Sequence, residues 1–168
     1  LDDITISAGA TTGTVSFTPT DDAADPVYEE NETAVISIDG VSGGSASESG
    51  SQSVTITITE NESAPTVTLA RSAASIAENS GSTVTLTATL SIKVDEAVTV
   101  ALSTSGAATE GTDYGTISDI TVSAGATTGT ATFDPTDDNV YEGNETAGIS
   151  VSGVSGGGAS ESGSQAVT

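Results

Sequence analysis

The chain has no cysteine, histidine, methionine or tryptophan, and only two basic residues, Arg71 and Lys93, among 168. Each absence removes a class of chemistry. Without cysteine there is no disulfide to staple the fold and no thiolate zinc site. Without histidine the usual general base is missing, and neither a Ser–His nor a Cys–His nucleophile can be assembled. Two cations against 24 carboxylates give a formal net charge of −22. That balance leaves no basic patch for nucleic-acid phosphate or anionic lipid. No apolar run is long enough to cross a bilayer as a helix. Aromatic residues are 3% of the chain, so the core must be built from Val, Ile, Leu and Ala. These exclusions predict a non-catalytic chain with no nucleic-acid partner and no membrane insertion. Paired carboxylates can hydrolyse glycosides, but here they are bunched, with no aromatic platform for a sugar.

What the chain does have is an acidic motif written twice. Asp137-Asp138-Asn139-Val140-Tyr141-Glu142-Gly143-Asn144-Glu145 has an upstream counterpart in Asp21-Asp22 followed by Val27-Tyr28-Glu29-Glu30-Asn31-Glu32. Paired aspartates and two glutamates three residues apart crowd carboxylates onto one short turn. Such a cluster is unfavourable unless a cation sits in it. Calcium suits it, because it takes six to eight oxygen ligands and tolerates irregular geometry, whereas magnesium demands a strict octahedron. The plainer reading, a solvated charged loop, is weakened by the spacing and by the duplication.

The duplication extends well beyond the motif. Residues 3–22 align with 119–138 without a gap, and sixteen of the twenty positions are identical. After the extra Ala23-Ala24-Asp25 the register shifts, so that Val41-Ser42-Gly43-Gly44 matches Val154-Ser155-Gly156-Gly157. Ala46 to Gln52 recurs as Ala159 to Gln165. A period of this size is a whole domain, longer than a solenoid repeat. A boundary near Pro65 divides the chain into 1–64, the C-terminal half of one unit, and 65–168, most of a second unit that lacks the end of its last strand. Half a sandwich exposes strand edges and an apolar face. The expectation is that neighbouring repeats of the same chain, or other copies, complete it, in the latter case as a fibre by strand complementation.

The dominant period is two. Thr83 to Leu90 places Val84, Leu86, Ala88 and Leu90 on one face, and Ala97 to Leu102 alternates likewise. Further strands are predicted at 53–59, 66–70, 119–123, 130–134, 146–152 and 165–168. The outward positions are largely Thr, which is stiff in extended chain. No helix is predicted, and the pattern fits an antiparallel β-sandwich. Phe133 and Tyr141, with Phe17 and Tyr28 in the first unit, are expected to give the largest packing contributions. The Tyr141 ring is expected to pack inward and hold its loop, with the hydroxyl at the surface.

With the repeat, the strands and the acidic turn together, the chain resembles the Calx-beta domain family. Ser75-Ile76-Ala77-Glu78-Asn79-Ser80-Gly81 looks like the family's first-strand motif. Gly106 to Tyr114 resembles its segment ending in Asp-Tyr, and Ser123-Ala124-Gly125-Ala126 the turn before the next strand. The stretch Asp137 to Glu145 is the strongest match, and Ile56 to Glu62 resembles the terminal strand and its acidic end. The resemblance implies an all-β, antiparallel immunoglobulin-like sandwich in tandem repeats, with Ca2+ bound at one end by loop carboxylates. Carried over by position, the implied ligands of the second unit are Glu78, Asp113, Asp137, Asp138, Glu142 and Glu145. Those of the first are Asp21, Asp22, Glu29 and Glu32, with Glu60 and Glu62 where the family often has a run of aspartates.

The leading expectation is a calcium-rigidified structural repeat, a stalk or fibre segment of a secreted bacterial surface or matrix protein. One alternative is an adhesion module that recognises carbohydrate or protein, against which the sparse aromatics argue. Another is a calcium sensor, against which the near-identical repeats argue. The sequons at Asn31, Asn61 and Asn144 overlap the acidic motif, which explains them better than glycosylation does.

Overall fold

The computed structural model describes residues 1–168. It is all-β, with twelve strands and a single 3-10 turn at Glu78–Ser80. Alternating Val/Leu and Thr makes β4 (Thr66–Arg71) and β5 (Val84–Leu90) strands with one apolar face each, and they pair antiparallel in the register Val67↔Leu90 to Arg71↔Leu86. Beyond β5 lies β9 (Thr128–Phe133), again antiparallel. The short β11 (Ser160–Glu161) adds to β4 in parallel on the other side. The facing sheet is built on β10 (Ala147–Ser155) and β7 (Val98–Gly106), an antiparallel pair with an irregularity between Val151 and Gly153. Its flanks are β8 (Ile120–Val122) beside β7 and β12 (Ala166–Val167) beside β10.

The two four-stranded sheets share one core. Val67 and Leu69 of β4 and Leu86, Ala88 and Leu90 of β5 meet Val98 and Val100 of β7, Ile120 and Val122 of β8 and Ile149 of β10. The four apolar positions expected on one face of β5 are all buried. This fits a β-sandwich, a core of aliphatic side chains excluded from water on the inner faces, although the expected all-antiparallel pairing is broken where β11 joins β4 in parallel.

The aromatics depart from expectation. Tyr141 is 97% exposed, not packed inward. The buried aromatic is Tyr114, 1% exposed, with its ring centroid 4.7 Å from that of Phe133. The reason is backbone placement. Tyr114 bridges to Pro135 beside β9, which turns its ring into the sandwich, whereas Tyr141 lies in a stretch without strand pairing between Pro135 and Ala147.

The first 64 residues behave differently, since none of them is buried. The six-residue strands β2 (Glu32–Ser37) and β3 (Ser53–Ile58) form an antiparallel hairpin of their own. Ile36, Val54, Ile56 and Ile58 of the hairpin, with Ile4 and Phe17, line an open apolar hollow. Local geometry nonetheless follows the sequence duplication. A Cβ placed on Gly129 would collide with the Thr121 carbonyl and lie 2.8 Å from Ile120 Cγ2. One placed on Gly13 would collide with the Thr5 carbonyl and lie 2.9 Å from Ile4 Cγ2. Glycine at both positions lets two backbones cross closely. Likewise Gln52 donates from its side chain to Ser49 O and from its amide to Glu48, as Gln165 does to Ser162 O and Glu161.

The first segment touches the second through β1 (Val27–Tyr28), which pairs in parallel with β6 (Lys93–Val94). Lys93 Nζ lies 2.6 Å from Asp25 Oδ1, the one ion pair of the chain.

Candidate metal centre

All six carboxylates expected in the second unit, Glu78, Asp113, Asp137, Asp138, Glu142 and Glu145, line one surface depression. Three separate elements bring them there. Glu78 opens the 3-10 turn that follows β4. Asp113 sits in the loop after β7, where its Oδ2 accepts from Thr109 N at 2.5 Å and its carbonyl accepts from Thr136 N at 2.9 Å. The burial of the neighbouring Tyr114 ring fixes that loop against β9. Asp137, Asp138, Glu142 and Glu145 come from the connection between β9 and β10. Within it Asp138 Oδ1 accepts from Val140 N at 2.7 Å, closing a short turn.

The tightest group is Glu78, Asp138 and Glu142, whose carboxylate oxygens all lie within 4.8 Å of one another. Ligand oxygens on opposite sides of a calcium ion stand roughly 5 Å apart, twice the Ca–O distance, so the spacing fits that ion. The electrostatics agree with the geometry. The Glu142 carboxyl is pushed above its usual range by desolvation first, then by the charges of Asp113, Asp138, Glu145 and Glu78. Its neighbours penalise its charge because no side-chain cation offsets them. Arg71 borders the same depression but pairs with none of the acids. The donor set is hard carboxylate oxygen only, with no nitrogen or sulfur, which suits calcium and does not suit zinc or copper.

The first unit's acids are also gathered, but on different terms. Glu29 is raised by desolvation and then by Glu32, Asp22, Asp95 and Glu60. Glu62 is pushed up to about 6, chiefly by a side-chain hydrogen bond with Glu60, then by desolvation and by Asp22, Glu60 and Asp21. Glu60 is drawn down to about 2 because its carboxylate accepts from the Glu62 and Glu29 amides. Those bonds are 2.8 Å and 2.6 Å, with Asn61 N a third donor at 2.8 Å. Asn31 Oδ1 accepts from Glu60 N at 2.9 Å, and Asp22 Oδ2 from Val27 N at 2.6 Å. All six expected residues, Asp21, Asp22, Glu29, Glu32, Glu60 and Glu62, thus share one electrostatic neighbourhood, yet no three of their oxygens converge as closely as those of Glu78, Asp138 and Glu142. Backbone donors hold the Glu60 and Asp22 carboxylates there instead.

Asp95 was not legible as a member of this group. It lies outside the duplicated motif and reaches Glu29 only because β6 pairs with β1 and Asp95 N donates to Tyr28 O at 3.4 Å.

A family model, the Calx-beta domain, matches residues 60–167. The chain belongs to the Calx-beta family. Calx-beta domains are non-catalytic and associated with calcium binding, and the matched residues hold the complete Glu78–Asp138–Glu142 group. No curated protein and no solved structure matches the chain.

Proposed function

We propose that this Calx-beta chain is a calcium-binding structural repeat, a stalk or fibre segment of a secreted bacterial surface or matrix protein. The observation that carries the calcium reading is the convergence of Glu78, Asp138 and Glu142 oxygens within 4.8 Å in a chain of net charge −22. Asp113, Asp137 and Glu145 line the same depression and complete the ligand set. Asp21, Asp22, Glu29, Glu32, Glu60 and Glu62 form the corresponding site of the first unit, where calcium takes over charge now held by backbone amides.

The structural role follows from what is duplicated. Residues 1–64 and 65–168 read as part of one immunoglobulin-like unit and most of a second. Near-identical units in series suit a spacer better than a sensor. The hollow between Phe17, Ile36 and Ile56 needs strands equivalent to β4, β5 and β7, supplied by a neighbouring repeat or another copy. An extracellular setting supplies calcium at the concentrations that weak carboxylate sites require.

Calorimetric titration of the chelator-treated chain tests the reading. Calcium is expected to bind and magnesium to bind much more weakly. Equal affinities for the two ions would contradict a calcium-selective site, and no binding of calcium would exclude a calcium site.

A further inference from the structure

The motif Val-Tyr-Glu occurs twice, and its two copies are in opposite states. At Val27–Tyr28 it forms β1, paired with Lys93–Val94 of the following unit. The Tyr28 ring is half-buried and packs against that unit's core. Its seat depends on glycine. A Cβ on Gly158 would lie 2.6 Å from Tyr28 Cε1 and 3.0 Å from its hydroxyl oxygen, and one on Gly157 would meet the Val94 side chain at 3.0 Å. Gly158 also has φ +59°, so the bare, left-handed backbone is itself the floor of the ring's seat. At Val140–Tyr141 the same residues are 63% and 97% exposed, with nothing paired to them.

We propose that Val140–Tyr141 is a docking strand whose occupant is a further unit of the same kind, presenting the face that Lys93, Val94 and Gly158 form here. The proposal rests on reading the chain as repeated units, but not on calcium. What one copy of the motif does in this molecule is what the other does when a third unit follows. The match is selective on the receiving side. The first unit has Ser45 where the second has Gly158, with φ +56° against +59°. A side chain at that point occupies the ring's seat. Tyrosine therefore docks on units with glycine there. The ion pair is not carried over, since Ala23 to Pro26, which include Asp25, are replaced by the single Asn139. The second junction is held by strand pairing and the ring alone.

A chain extended by a second pass through residues 53–168 after Gln165 tests this. The join keeps register, because Ser51-Gln52 corresponds to Ser164-Gln165. In the 168-residue chain, Tyr28→Ala is expected to lower the melting temperature by about 2 °C or more, and Tyr141→Ala to leave it unchanged. In the extended chain, Tyr141→Ala acquires a loss of the Tyr28→Ala size, and Gly158→Ser in the added copy reproduces it. A second readout uses the absence of native cysteine. A Val140→Cys thiol is labelled fast in the 168-residue chain and slowly in the extended one. Silence of Tyr141→Ala with unchanged labelling in the extended chain would overturn the proposal. So would a silent Tyr28→Ala, or a Tyr141→Ala loss already present at 168 residues. Repeating the series in chelator separates this result from the calcium reading, because strand docking persists even if no ion binds.

Discussion

The Glu142 carboxylate sits where the charges of Asp113, Asp138, Glu145 and Glu78 already act, so ionising it without a cation is costly. Glu142→Ala or Asp138→Ala should weaken calcium binding by roughly tenfold or more, since affinity follows the number of ligand charges. Glu161 is the contrasting residue. It accepts from the Gln165 amide and lies outside the depression, so Glu161→Ala should lower the melting temperature while calcium affinity stays the same. Titration calorimetry and melting curves on the three variants separate the two effects. The protonation states give a second prediction. Glu62 is raised from 4.5 to about 6, so the native state holds this proton more tightly than the unfolded chain, and its stabilising contribution is present below pH 4.5 and lost as pH rises through 6. Glu60, lowered to about 2, contributes above pH 4.5 and loses that contribution as pH falls toward 2. Glu29 and Glu142 shift in the same direction as Glu62. The metal-free chain should therefore be more stable near pH 4.5–5 than at pH 7, and saturating calcium should remove the decline by favouring the ionised carboxylates. Melting curves in chelator that rise steadily from pH 5 to 7 would contradict the assignment.

Among the elements, the loop after β7 shows how packing positions a carboxylate of the acidic depression. Tyr114 anchors it against Phe133 and Pro135, and Asp113 is its immediate neighbour. Tyr114→Ala should cost about 3–5 kcal/mol, as for other buried aromatics, and should also weaken calcium binding by releasing Asp113. Tyr114→Phe keeps the ring and should change neither by much. Denaturant unfolding with and without calcium checks both. This is also the scale at which the sequence was most and least legible. The period-two runs of β5 and β7 announced their own faces, because a half-buried strand must alternate. The acidic cluster was legible because its spacing is unusual and occurs twice. The expectation that Tyr141 packs inward failed because Tyr114 and Tyr141 both sit in polar loops, and only the bridge to Pro135 decides which ring turns inward. The pairing of β1 with β6 was equally hidden. Two residues on each side carry no periodicity, and with that pairing hidden, so was the place of Asp95 beside Glu29.

For the whole molecule the dominant fact is unbalanced charge. A net charge of −22 with one ion pair makes the compact state repel itself. Sodium chloride screens such repulsion over about 10 Å at 0.1 M, so salt should raise the melting temperature of the metal-free chain and raise it less once calcium is bound. Small-angle scattering on the extended chain should show a larger maximum dimension with calcium than in chelator, as a stiffened series of units requires. The most direct measurement is thermal melting of the unmodified chain in chelator and in a calcium titration. Binding to the native state alone adds about 2.7 kcal/mol at a hundred times the dissociation constant, roughly 5–10 °C for a chain of this length. A concentration-dependent rise of that size with calcium, absent in Glu142→Ala, is the expected result. A melting temperature that does not move between chelator and millimolar calcium would contradict it.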